Sequence, residues 1–193
     1  SAPANSYAAH VLNGHPLHLH YSSVVASRHL VTGSNFTISL VRAFTRLKQR
    51  FVVFVKAGEK KTKSFHSPFN ATHNTDVYDV TWQNFIGSRK WPRRPARGIA
   101  ESFMRLRQAA GSFYGSSDHS ISATDYSNGC YILGNIFEKV DAMASHSGYS
   151  TKDGSIVQLT IEHSGLASGA ACLIYQVYDG LLSIQDGSCS VFE

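Results

Sequence analysis

Eight or nine short segments of this chain either alternate polar with apolar residues or run solidly apolar, and turn-forming residues close each one off. No other feature constrains the fold as much, because a side-chain period of two belongs to strands and not to helices. Leu17-His18-Leu19-His20-Tyr21 alternates strictly and sets Leu and His on opposite faces. Phe36 to Val41 alternates too, and Phe51-Val52-Val53-Phe54-Val55 is an apolar run fit for a strand buried on both faces. Gly58 to Lys63 is a polar turn, and Val77 to Ile86 continues the β pattern. Cys130-Tyr131-Ile132-Leu133 leads a further strand, Ile156 to Glu162 forms one, and Ala170 to Tyr178 another. Asp179-Gly180 then predicts a turn. Leu181 to Ile184 and Cys189 to Phe192 flank Asp186-Gly187 as a terminal hairpin.

Only one stretch carries a helical period. From Gly98 to Ala110, Ile99, Phe103 and Leu106 fall on one face. Glu101 stands in the first turn, Arg105 and Arg107 in the last, and Gly111 follows. Tyr126-Ser127-Asn128-Gly129 predicts a turn, and residues 112–120 and 141–155 predict polar loops. A parallel α/β fold needs several crossover helices, which are missing. The pattern therefore predicts an all-β fold, an antiparallel eight-stranded jelly-roll sandwich with one helix in a long connecting loop. Residues 1–16, rich in Ala, Asn, Ser and Pro, predict an extended N-terminal arm, and residues 17–193 a single domain.

Hydrophobic residues make up 42% of the chain and charged ones 16%, which excludes disorder as its main state. No apolar run reaches the roughly 18 residues of a transmembrane helix, no signal peptide is visible, and no membrane partner is expected. The net charge of +5 hides a segregation. Residues 42–107 hold fifteen Lys and Arg against four acids, and the rest of the chain three against nine. Such a chain meets a polyanion, or an oppositely charged surface of a neighbouring copy, unless folding scatters the cations.

Motifs for chemistry are sparse. Cys130, Cys172 and Cys189 form no CxxC pair, and the first two sit in apolar runs as buried thiols. The sequons at Asn35 and Asn70 carry no expectation of glycosylation without a secretion signal. His15, His18 and His20 approach a metal-ligand spacing, yet no Cys, Asp or Glu lies near them, and an exposed polar face of an edge strand is the simpler assignment. Ser116, Ser117, Asp118 and His119 are adjacent, with His146 and His163 elsewhere, but neighbours in a loop do not make a triad and no GxSxG elbow occurs. Gly187-Ser188-Cys189 also lacks the surroundings of a nucleophile. No phosphate-binding glycine loop and no paired carboxylates can be nominated. The expectation is a protein that is not an enzyme, with no catalytic residue, no metal site and no cofactor.

The sharpest local feature is the basic run Arg89, Lys90, Trp91, Arg93, Arg94 and Arg97, broken by Pro92 and Pro95. Two prolines and dense charge exclude a sheet interior, leaving a loop against the neighbouring helix with Trp91 buried in it. Its cations suit phosphates or a subunit interface equally well, and nothing in the residues separates the two.

Several segments, taken in order, resemble the major capsid proteins of double-jelly-roll viruses and their relatives in virus-like transposons. The resemblance is to the C-terminal jelly roll of those proteins. It rests on Arg46 to Val55, Ser67-Pro68-Phe69-Asn70, Ile86 to Pro92 with Pro95, Glu101-Ser102-Phe103 before Leu106-Arg107, and Tyr126-Ser127-Asn128-Gly129. It continues through His146-Ser147-Gly148, Gly154 to Val157, and Ile174 to Ile184, over roughly residues 36–193. It implies a virion shell protein that assembles with copies of itself and other capsid proteins, in trimeric, pseudo-hexagonal capsomers. The helix-bearing segment 89–111 would be an interface or tower element, with nucleic acid a further partner for the basic run. Those capsid proteins carry two rolls and 193 residues supply one, so a fragment, a processed half or a single-roll relative are the alternatives. A Ser start and a Glu end would suit excision from a longer polyprotein. Apart from the resemblance, the same features fit a β-sandwich module that binds carbohydrate or nucleic acid.

Overall fold

The structure, a computed structural model, describes residues 16–55, 80–111, 121–138, 148–163, 169–185 and 188–192. The polar turn Gly58–Lys63, the loop 112–120, Val77–Asp79, Asp186-Gly187 and all of the expected arm but Pro16 lie outside them. The described chain forms strands β1 (Leu17–Leu30), β2 (Asn35–Leu40), β3 (Leu47–Val55), β4 (Thr81–Ile86) and β5 (Arg89–Arg97). Helices α1 (Gly98–Ala109) and α2 (Ala123–Asn128) follow, then β6 (Ile132–Ile136), β7 (Val157–Glu162), β8 (Ala171–Gln185) and β9 (Ser188–Phe192).

Two antiparallel sheets face each other. One has the order β1-β8-β3-β6, with β9 added to β8, and the other has β2-β7-β4-β5. Every sheet neighbour among the described strands except β4–β5 and β8–β9 is distant in sequence, which is the interleaving that two Greek keys produce. Eight strands thus make the expected jelly roll, and β9 extends it.

The inner faces follow from the period of two. Ile174 and Cys172 on β8, Val52 and Phe54 on β3, and Leu133 on β6 point inward from one sheet. Phe36, Ile38 and Leu40 on β2, Leu159 and Ile161 on β7, and Trp82 and Ile86 on β4 meet them. Each of these buried side chains contributes about 1.5–3 kcal/mol relative to exposure.

Helix α1 packs on β6 and touches β5 and β3, so it covers the side of the sandwich where both sheets end. Glycine makes that fit possible. A Cβ on Gly134 would stand 2.7 Å from the Leu106 Cα. Trp82 Nε1 donates to Ser102 Oγ at 3.0 Å and ties the helix to the second sheet. Glu101 accepts from the Arg97 backbone N–H at 3.1 Å and so serves the open first turn of α1.

Three sequence expectations need correction. Asp179-Gly180 is not a turn, for β8 runs unbroken from Ala171 to Gln185. Tyr126-Ser127-Asn128 belongs to a second helix, whose first turn Ser122 Oγ caps by accepting from the Asp125 N–H at 3.1 Å. Arg89–Arg97 is not a loop but the edge strand β5.

Candidate interaction surfaces

The edge strand β5 displays the basic run. Its register against β4 jumps, since Trp82 faces Ala96 and Asn84 faces Trp91. Residues 92–95 therefore bulge out opposite Gln83. The Gln83 amide fastens the bulge by donating to the carbonyls of Pro92, at 2.9 Å, and Arg93, at 3.4 Å. An edge and a bulge are where a sheet tolerates proline, and the Trp91–Pro92 peptide is cis. The bulge lifts Arg93 and Arg94 into solvent, and among the described residues no carboxylate pairs with either.

The other four residues of the run have different surroundings. Trp91 is half-buried, edge-on to Phe137 and Tyr149, with its Nε1 buried and unpartnered. Its packing is against these loop aromatics. Arg89 lies over the Tyr149 ring at 5.5 Å and Lys90 near the Phe85 ring at 5.9 Å, both contacts of the cation–π kind. Arg97 is exposed at the far end of β5, beside α1. The strand thus strings these residues along one edge instead of gathering them at a point.

Folding scatters the remaining cations of the basic third. Lys48 reaches Glu138 at 3.6 Å and Asp179 at 3.4 Å, and Ser22 Oγ donates to that aspartate at 2.7 Å. Arg105 pairs with Glu101 at 2.7 Å one helical turn away. Arg42 lies over Tyr178 and Phe44. Lys56, Lys60, Lys61 and Lys63 lie outside the described residues.

Arg50 is inside the sandwich. It donates from Nη1 to Asn84 Oδ1 across the two sheets and stands over the Phe137 ring at 5.4 Å. Its Nε and Nη2 have no partner, nor do Asn84 Nδ2 and Gln176 Nε2 beside it. Desolvation pushes its pKa down from 12.5 to about 9, with Cys172 opposing. The same burial pushes the Cys172 thiol up to about 12. Nothing in the local sequence marks this arginine, which stands in the same run as Arg46 and Lys48.

The other candidate residues do not converge on chemistry. His18 and His20 are exposed on β1, and no group of three or more His, Cys, Asp or Glu able to hold a metal occurs among the described residues. His15, His146, Ser116, Ser117, Asp118 and His119 lie outside them. His163 is buried edge-on to Phe36, and desolvation lowers its pKa against a Gly33 backbone hydrogen bond. Asp153 is held below the usual carboxylate range by Ser155. Cys172 is buried as expected, Cys130 is only half-buried, and Cys189 is exposed. No helix among the described residues is long and apolar enough to cross a membrane.

Comparison with known proteins bears on the whole body and not on a pocket. No family model matches the chain. No curated protein matches it significantly in sequence. Its fold is similar to that of PBCV-1 VP54, a crystal structure fitted into a reconstruction of the virophage Sputnik, with a TM-score of 0.62 and 10% identity. That match covers 91% of this chain and 51% of the other. A chain of the PBCV-1 virus capsid, in a quasi-atomic model, matches with a TM-score of 0.59 and 10% identity over 99% of this chain and 54% of its own. The chain therefore spans about half the length of the structures it matches. At that identity the likeness establishes a viral-capsid type of jelly roll.

Proposed function

We propose that this chain is a structural protein of a virion shell, built by association with copies of itself or with other capsid proteins. One observation carries the reading: the complete β1-β8-β3-β6 and β2-β7-β4-β5 roll superposes, over nearly all of this chain, on about half of a viral capsid chain. The surfaces agree with it. The described polar clusters are structural pairings: Arg50 meets Asn84 inside the sandwich, and Glu138 and Asp179 are tied up on Lys48. Trimeric capsomers are the finer form of the proposal, with the β5 edge from Arg89 to Arg97 as a contact between neighbours and the virion as its location.

A second role for that edge has its own support. Arg93 and Arg94 stand out on a fixed bulge with no described acid beside them, which suits a polyanion such as nucleic acid. The test of the main reading is light scattering and electron microscopy of purified protein across concentration and salt. Trimers or particles are the expected result. A protein that stays monomeric at high concentration and low salt overturns it.

A further inference from the structure

The outward face of the second sheet carries a hollow beside the basic edge. Alternation turns Thr81, Gln83 and Phe85 of β4, and Thr160 and Glu162 of β7, away from the core. With Pro95 of β5 they line a hollow of about 120 Å³. Pockets for drug-sized ligands start at roughly 300 Å³, so this one suits a single ring. Phe85 and Pro95 give it apolar surface. The hydroxyls of Thr81 and Thr160, the Gln83 amide and the Glu162 carboxylate give it hydrogen-bonding groups.

The three β4 residues in it are the ones that face the basic run. Phe85 pairs with Lys90 and Thr81 with Arg97, while Gln83 holds the bulge that carries Arg93 and Arg94. Directly paired residues share a face, so Lys90 and Arg97 rise on the hollow's own side of the sheet. Lys90 Nζ accordingly stands 5.9 Å from the centre of the Phe85 ring. Cations therefore run along one flank of the hollow for its whole length. Glu162, on β7, lies at the other flank, two strands away from β5.

We propose that this hollow receives one base of a single-stranded nucleic acid whose phosphates lie along Lys90, Arg93, Arg94 and Arg97. The inference rests on the nucleic-acid role given to the β5 edge above and adds the place that holds the base. Charge fixes the direction of the strand, since its phosphates are drawn to β5 and kept off β7 by Glu162. The base then reaches over β4 and packs on Phe85 and Pro95. Glu162 accepts from an exocyclic amino group, which cytosine has and thymine lacks. A base can enter only where it is unstacked, which selects a single strand over a duplex. A neutral sugar would leave the cations unused, and a polyanion without bases would leave the hollow empty.

The test is fluorescence anisotropy at pH 8 with labelled oligo(dC), oligo(dT) and an abasic strand of the same length, which keeps the phosphates and lacks the bases. Oligo(dC) is expected to bind about tenfold more tightly than the abasic strand. It is expected to bind about fivefold more tightly than oligo(dT), and Glu162→Gln to remove that preference. Thr160→Trp, which fills the hollow, and Phe85→Ala are each expected to weaken oligo(dC) about tenfold. Neither removes a cation, so the salt slope stays as in wild type. Thermal melts report whether the variants fold. Abasic binding equal to oligo(dC) overturns the base site and leaves the basic edge as a nucleic-acid contact. A folded Thr160→Trp or Phe85→Ala variant that binds like wild type does the same. Absence of binding by every strand at low salt overturns both. A melt raised by maltohexaose and by no oligonucleotide overturns the base in favour of a sugar.

Discussion

Arg50 on β3 reaches across the sandwich to Asn84 on β4, and this hydrogen bond joins the two sheets where both side chains are almost wholly buried. The arginine has no carboxylate partner there, and two of its three nitrogens are unsatisfied. A buried cation so placed weakens the fold, because desolvation is not repaid by a single amide. Replacing the pair together by Arg50→Met with Asn84→Leu is expected to stabilise the protein by about 1–4 kcal/mol in urea melts. Asn84→Leu alone, which strands the charge, is expected to cost about 1.5–3 kcal/mol. The pH dependence has a definite sign. With the folded pKa lowered to about 9 from 12.5, the unfolded chain holds the extra proton between those values. Wild-type stability relative to Arg50→Met therefore rises with pH above about 9, by at most about 1.4 kcal/mol per pH unit. A flat difference would show that Arg50 keeps its proton in the folded chain.

Two glycines make opposite demands on their neighbours. A Cβ at Gly134 would press on the backbone of α1 at the Leu106 Cα, whereas one at Gly180 would meet the end of the Tyr21 ring. A ring can swing aside and a helix backbone cannot. Gly134→Ala is expected to cost about 1–3 kcal/mol, by pushing α1 off β6. Gly180→Ala is expected to cost less. Chemical denaturation of both variants decides it, and equal losses would contradict the account.

These glycines also show what the sequence can and cannot reveal. Alternation placed β2 and β7 because one face of each is buried and the signal is local, and of β1, whose inward face is only half-buried, it found the first five residues of a strand that runs to Leu30. Asp179-Gly180 has the composition of a turn, yet its roles lie in distant residues. Asp179 accepts from Ser22 and pairs with Lys48, and Gly180 makes room for Tyr21. The basic run was legible as something barred from a sheet interior, and an edge strand satisfies the same rule as a loop does. What separates them is Gln83, whose amide holds the bulge from another strand. Arg50 could not be told from Arg46 by sequence, since only the approach of Asn84 and Phe137 marks it as interior.

His163 gives the fold an acid sensitivity. Its folded pKa is lowered, so the neutral ring is the form that packs against Phe36. Between the folded value and the unfolded value of 6.5, the unfolded chain binds the extra proton, and stability is lost as pH falls through that window. His163→Leu is expected to reduce the loss of stability between pH 7 and pH 5, measured by urea titration at each pH. An unchanged pH profile would place the sensitivity elsewhere.

The arginines on the β5 bulge separate the two roles proposed for that edge. If nucleic acid binds there, each arginine displaces a counterion from one phosphate, and affinity for a single strand falls with salt by about 0.7 log units per phosphate for each log unit of salt. Arg93→Glu with Arg94→Glu is then expected to weaken binding of a labelled oligonucleotide in fluorescence anisotropy. It is also expected to lower the salt slope by about 1.4. Neither residue touches the core or fastens the bulge through its side chain, so the thermal melt should not move. If the edge is instead a contact between copies, the same variant binds oligonucleotide as weakly as wild type, and light scattering shows the change. Wild-type binding that is tight, steep in salt and indifferent to the double substitution would remove the bulge from the nucleic-acid role, and unchanged light scattering would remove it from the other.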